Sequence, residues 1–507
     1  MMYFKSFKFN FHCVNLMSVA GRHKCVNYFN KENIKYLVEV CGFTHYEIYS
    51  TFKKTKNSLN KKETVDLIES YKFCKGLGFS NKEILTYPAL LTQHHLACIS
   101  QYNALKDTGC HRIDALLLSR APMFFRNKIK FLKICGYLQK DIDVAERLMS
   151  FLNPPIKKPK KLDKQLDNID EMIWSEVHKA ILVDWLKERL NASEHQIIQL
   201  LRVHKMIKNK SFRIINENIT MAESLGMTHT KILRSGYVLN NYPEYPKTML
   251  RDHPFFAGVD LAKHYAVNPK LMMISPRKFM EIYDILKEFR ITDDQIQKRP
   301  AVFTLSPITL RERLESIQET PEVRVLFDDP RILHLVVHHN KAMSRLAFLK
   351  NLKLRCATLG HIGNLSPNFF ENYIQAGQDI NNPSAVIDFI SRLLKKPYTD
   401  VKKLLQRHPF YFYVPFVDIE ETYNTLLGLN YNVTDISRIV FILLYPSKKI
   451  KATYKTLQQQ EKLNFINLSR HKQLNLILYS IEKEYHFTGN GIWQSEPKHE
   501  FDDKVLE

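Results

Sequence analysis

Asn268-Pro269-Lys270-Leu271-Met272-Met273-Ile274-Ser275-Pro276-Arg277-Lys278-Phe279 is answered 31 positions later by Arg299-Pro300-Ala301-Val302-Phe303-Thr304-Leu305-Ser306-Pro307, and thirty further on by Asp329-Pro330-Arg331-Ile332-Leu333. In each phrase the second and third residues after proline are apolar. A period of this length marks a solenoid, whose units cannot bury an apolar face alone and must stack. Thr292 and Gln295 have the spacing of a capping box and predict a short helix from there. Pro300, eight residues after the cap, lacks an N–H and ends it. Ser306-Pro307 then reads as an N-cap and first residue of a longer helix through Leu310, Leu314 and Ile317. The unit is short helix, proline break, longer helix, and Pro300→Ala is expected to let the short helix run on.

The same grammar extends outward. Ser80 and Glu83 form a capping box with Pro88 eight residues on, followed by Leu90 and Leu91. Pro122 precedes Phe124 and Phe125. Two units keep the spacing without proline, from Ser193 to Leu201 and from Thr228 to Gly236. Phase markers at Leu201, Gly236, Pro269, Pro300 and Pro330 lie 35, 33, 31 and 30 residues apart. Past Leu352 the rhythm loosens: Pro367 with Phe369 and Phe370, and Pro409 with Tyr411 and Phe412, keep the break, whereas Tyr445-Pro446 keeps only the proline. The aromatics at the pair positions (Phe124, Phe125, Phe303, Phe369, Phe370, Phe412) read as core, because a base-stacking role would require exposure.

Five segments follow: an acid-free, basic 1–31 that reads as a mitochondrial transit peptide; N-terminal repeats over 32–152; a lysine- and proline-rich linker over 153–170; the main array over 171–485; and an acidic tail over 486–507. The net charge of +22 in 507 residues suits a polyanionic partner. No apolar run reaches the length of a membrane span. The eight cysteines have no Cys-x-x-Cys spacing, so no disulfide framework is expected, and Cys74 and Cys135 lie among apolar neighbours as buried reduced thiols do.

No phosphate-loop, dinucleotide, nucleophile-elbow or zinc-protease motif occurs. His334 and His338 have the i, i+4 spacing of a shared metal, but no third ligand lies near in sequence, so neither metal nor cofactor is expected. Lys270 and Arg331 each follow the break proline by one place; Arg277, Lys278, Arg299, Arg311 and Arg313 adjoin breaks or helix starts, as does Arg120. Basic residues recurring at one phase of a stack form a stripe able to track phosphates.

Leu77-Gly78-Phe79, Ile84, Pro88, Leu90 and Leu91 together resemble the repeat of the mitochondrial transcription termination factor family, and the resemblance runs from about Leu77 to Tyr445. It implies an all-α fold, a superhelical α-solenoid whose repeats are two helices and a 3₁₀ turn. It also implies a matrix protein without catalytic activity that binds double-stranded mitochondrial DNA through a basic concave face and regulates transcription. Structured or ribosomal RNA is the alternative ligand, with transcription or ribosome-assembly factors as further partners. A protein-binding helical scaffold is the rival reading from another class.

Overall fold

A computed structural model describes residues 31–52, 64–163, 169–363, 367–460 and 464–484. The transit segment, apart from Lys31, and the acidic tail lie outside the described residues. Among those described, the chain is α- and 3₁₀-helical but for one small hairpin, Phe255–Phe256 with Val259–Asp260. It divides into two compact units, 1–216 and 217–507.

The second unit holds the reference repeat. Thr292 Oγ1 accepts the Gln295 N–H at 3.3 Å, and Gln295 Oε1 accepts the Thr292 N–H at 2.8 Å, closing the capping box. The short helix Asp293–Lys298 ends at Arg299, the break is a 3₁₀ turn over Pro300–Thr304, and Ser306 caps the long helix Pro307–Glu319. Gln295 is buried and also clamps the next repeat, its Nε2 donating to the carbonyls of Phe327 and Asp329 at 2.9 and 3.2 Å. A buried amide must satisfy both ends, and this one does so by joining two repeats.

The preceding repeat has the same parts: Asp260 cap, Leu261–Val267, 3₁₀ turn Pro269–Met273, Ser275 cap and Pro276–Glu288. The apolar pair after each break is the seam. Leu271, Met272, Val302, Phe303, Ile332 and Leu333 are all buried, and Phe303 stacks on Phe279 with ring centroids 4.0 Å apart. After Pro330 no 3₁₀ turn forms; a helix, Leu333–Val337, takes its place.

Proline is not what makes the break. Ser235, Asn268, Arg299 and Ile439 occupy the junction with φ between −145° and −103° and ψ between 43° and 72°, yet only Asn268 and Arg299 precede proline. Burial of the pair Val238–Leu239, or of Ile442–Leu443, holds the same turn where Gly236 or Val440 stands. The helix is therefore not expected to run on when Pro300 is replaced.

Four other readings need correction. Leu201 lies inside a helix, Glu194–Val203, and the 3₁₀ turn begins at Lys205, so the interval to Gly236 is 31 residues. The unit around Pro446 is complete, with an Asn432–Asp435 capping box, helix Val433–Arg438, turn Val440–Leu444 and long helix Ser447–Gln459; Pro446 occupies the helix-start position rather than the break. Pro367 opens a helix, Pro367–Ala376, and Phe369 is 43% exposed, with Phe370 and Phe412 only half-buried. Cys135 is exposed, because it caps the Ile129–Ile134 helix at its solvent end, whereas Cys74 is buried.

In the first unit, Ser80 and Glu83 close their capping box, and Pro88 leads into Ala89–Thr92 with Leu90 and Leu91 fully buried. Farther along, Leu162 is buried, and Asp170 and Glu171 pair with Lys133, Lys128 and Lys130.

Candidate nucleic-acid interface

The seven basic residues read from the sequence do not form one group. Lys270 is exposed on its 3₁₀ turn and makes no ion pair among the described residues. Arg331 is exposed, its Nε donating to Asp329 at 3.3 Å. Arg277 is exposed, and Lys278, half-buried, gives its backbone N–H to the Ser275 cap. Arg277 and Arg311 line one groove with Glu281, Asp284, Glu312 and Glu315, and Arg311 forms a two-point pair with Glu288 at 2.7 and 2.6 Å.

Arg299 and Arg313 are committed inside the fold. Arg299 is half-buried and donates to His338 Nε2 at 2.8 Å. Accepting that bond keeps His338 neutral; burial, then the charge of Arg299, lowers its pKa. Arg313 Nη1 donates to the carbonyls of Val336 and Val337, both at 2.9 Å, and so caps the end of the Leu333–Val337 helix.

Placing the repeats in register brings out a row that the break-centred reading missed. The sixth residue after the N-cap, in the last turn of the short helix, is basic in four repeats, Arg234 after Thr228, Lys298 after Thr292, Lys403 after Pro397 and Arg438 after Asn432, whereas Ala266 after Asp260 and Gln199 after Ser193 interrupt the row. All four are exposed, and none makes an ion pair or side-chain hydrogen bond among the described residues. Counting six from each cap, rather than one from each proline, would have found them. A cation at a helix C-terminus complements the helix dipole, so the row costs the fold nothing. In the first unit Arg120 stands six after the Asp114 cap and is also exposed.

The exposed Phe369 and Tyr398 line a cavity of about 280 Å³ with Arg331, Thr358, Asn382 and Ser384. In the first unit, Asp66, His94 and His95 bring donor atoms within 4.8 Å of one another. There His94 Nδ1 accepts the Leu96 N–H, so in the neutral ring the proton sits on Nε2, the atom 3.5 Å from Asp66. That arrangement is a hydrogen-bonded trio, with no lone pair on His94 Nε2 for a metal.

Fold and register define the class: an all-α repeat protein whose units are short helix, 3₁₀ turn and long helix. No family model matches the chain, and no solved structure matches it. It is 28% identical over 476 residues to the mitochondrial transcription termination factor 5 of Drosophila melanogaster, covering 92% of this chain and 84% of that protein. This similarity over nearly the whole chain supports membership of the mitochondrial transcription termination factor family.

Proposed function

We propose that the protein binds double-stranded mitochondrial DNA in the matrix and regulates transcription there without catalysing a reaction. The observation that carries this reading is the row Arg234, Lys298, Lys403 and Arg438, four unpaired cations at one phase of the repeat in a chain of net charge +22. Lys270 and Arg331 add to it at the break. The relative's name supports the compartment and the process, and the acid-free residues 1–31 supply the import signal. Phosphate neutralisation provides affinity without sequence information, so site choice falls to other contacts.

Structured RNA is a second reading, favoured by one observation. The exposed rings of Phe369 and Tyr398 beside Arg331 suit unpaired bases, which RNA loops present and an undistorted duplex does not.

Titrating a labelled mitochondrial DNA fragment at several salt concentrations tests the proposal. On duplex DNA each neutralised phosphate contributes about −0.9 to the slope of log affinity against log salt. Replacing the four row residues by alanine should flatten the slope by roughly 3 to 4. An unchanged slope refutes the interface, and absence of binding to duplex and RNA alike favours the protein scaffold.

A further inference from the structure

The long helices Pro276–Glu288 and Pro307–Glu319 pack against one another. Their exposed edges carry matched rows at spacings of four, three and four: Arg277, Glu281, Asp284, Glu288 on one and Ile308, Glu312, Glu315, Glu319 on the other. Between the rows runs a groove of about 640 Å³, with Met280, Ile285 and Pro307 in its lining. It is lined by five carboxylates against two guanidinium groups, a local excess of negative charge in a strongly basic chain. Among the described residues one ion pair spans the two helices, Arg311 to Glu288. Glu281, Asp284, Glu312 and Glu315 make no ion pair among the described residues. Like charges at i, i+3 and i, i+4 repel along each helix. Ile308 meanwhile holds an apolar side chain 72% exposed on the acidic rim.

We propose that this groove docks a basic amphipathic helix of a partner protein. A nucleic-acid backbone would be repelled by the unpaired carboxylates, whereas lysines and arginines at i, i+4 would meet both rows. An apolar residue between them would seat on Ile308 and Met280. Eleven residues separate the ends of each row, about 16 Å of helix, so three turns of the partner suffice. A third helix lying between two parallel helices follows ordinary ridge-and-groove packing. The surface lies on the long helices and the cationic row on the short ones, so protein partner and nucleic acid are held by different elements of the same repeats.

The probe is a synthetic three-turn peptide with lysines at i, i+4 on one face and leucines between them, followed by fluorescence anisotropy against the full chain. A scrambled peptide of equal charge is the control. The chain's net positive charge disfavours non-specific capture of either. The expected result is binding of the amphipathic peptide only, weakened at least tenfold by the combined Glu281→Gln, Asp284→Asn, Glu312→Gln and Glu315→Gln variant and also by Ile308→Ser. Circular dichroism of the variants checks that the exposed substitutions leave the helices intact, and their affinity for duplex DNA should be retained. No binding by wild type, equal binding of the scrambled peptide, or equal binding by the four-site variant would each overturn the proposal.

Discussion

Pro300→Ala and Phe303→Ala separate the two elements that make the repeat break. Phe303 is 1% exposed, stacks on Phe279 at 4.0 Å and meets Phe256 edge-on at 5.5 Å. Truncating a buried phenylalanine costs about 3–5 kcal/mol, the transfer of the ring plus the cavity left behind. Pro300 contributes mainly a stiffer unfolded chain, worth about 0.4–1 kcal/mol. The same junction geometry stands at Ser235-Gly236 and Ile439-Val440 without proline, so nothing larger is expected from its loss. Hydrogen exchange of the segments 293–319 reads local opening directly. At about 1.4 kcal/mol per decade, Phe303→Ala should accelerate exchange there by about two to three and a half decades, and Pro300→Ala by less than one. If Pro300→Ala matched Phe303→Ala, proline rather than the buried pair would be setting the break.

Two further outcomes follow from groups inside the fold. His178 is fully buried, its Nε2 donating to the Lys210 carbonyl at 3.0 Å, and burial pushes its pKa down from 6.5 to about 4. The unfolded chain therefore binds a proton at pH values where the folded chain does not, so this group's contribution is present above about pH 6.5 and is lost as pH falls towards 4, on the order of 3 kcal/mol in total. Urea denaturation of the first unit's fluorescence at several pH values should show a shallower pH dependence in His178→Gln, and an unaltered dependence would contradict the assignment. Arg313→Met should cost about 1–3 kcal/mol by leaving the Val336 and Val337 carbonyls short of a donor; its salt slope on DNA should equal that of wild type, and a flattened slope would return Arg313 to the interface.

Short-range signals settled much of this protein. Thr292 with Gln295 and Ser80 with Glu83 announced their caps because a capping box is closed within four residues and needs no distant partner. The apolar pairs were legible for the same reason: a stack must bury two adjacent side chains after every break. Tertiary structure decided what those local signals leave open. Packing of Val238–Leu239 and Ile442–Leu443 imposes the break where proline is missing, which is why the true turn at Lys205 and the complete repeat around Val440 escaped a reading centred on proline. It also sorted the basic residues. Arg313 reaches carbonyls 23 and 24 positions away, Arg299 reaches a histidine 39 away, and Arg311 pairs across two helices. A guanidinium's role depends on which acceptor the fold brings within 3 Å, and sequence spacing carries no information about that distance; Arg234, Lys298, Lys403 and Arg438 remain unpaired because, among the described residues, the stacked repeats bring no carboxylate within reach of them.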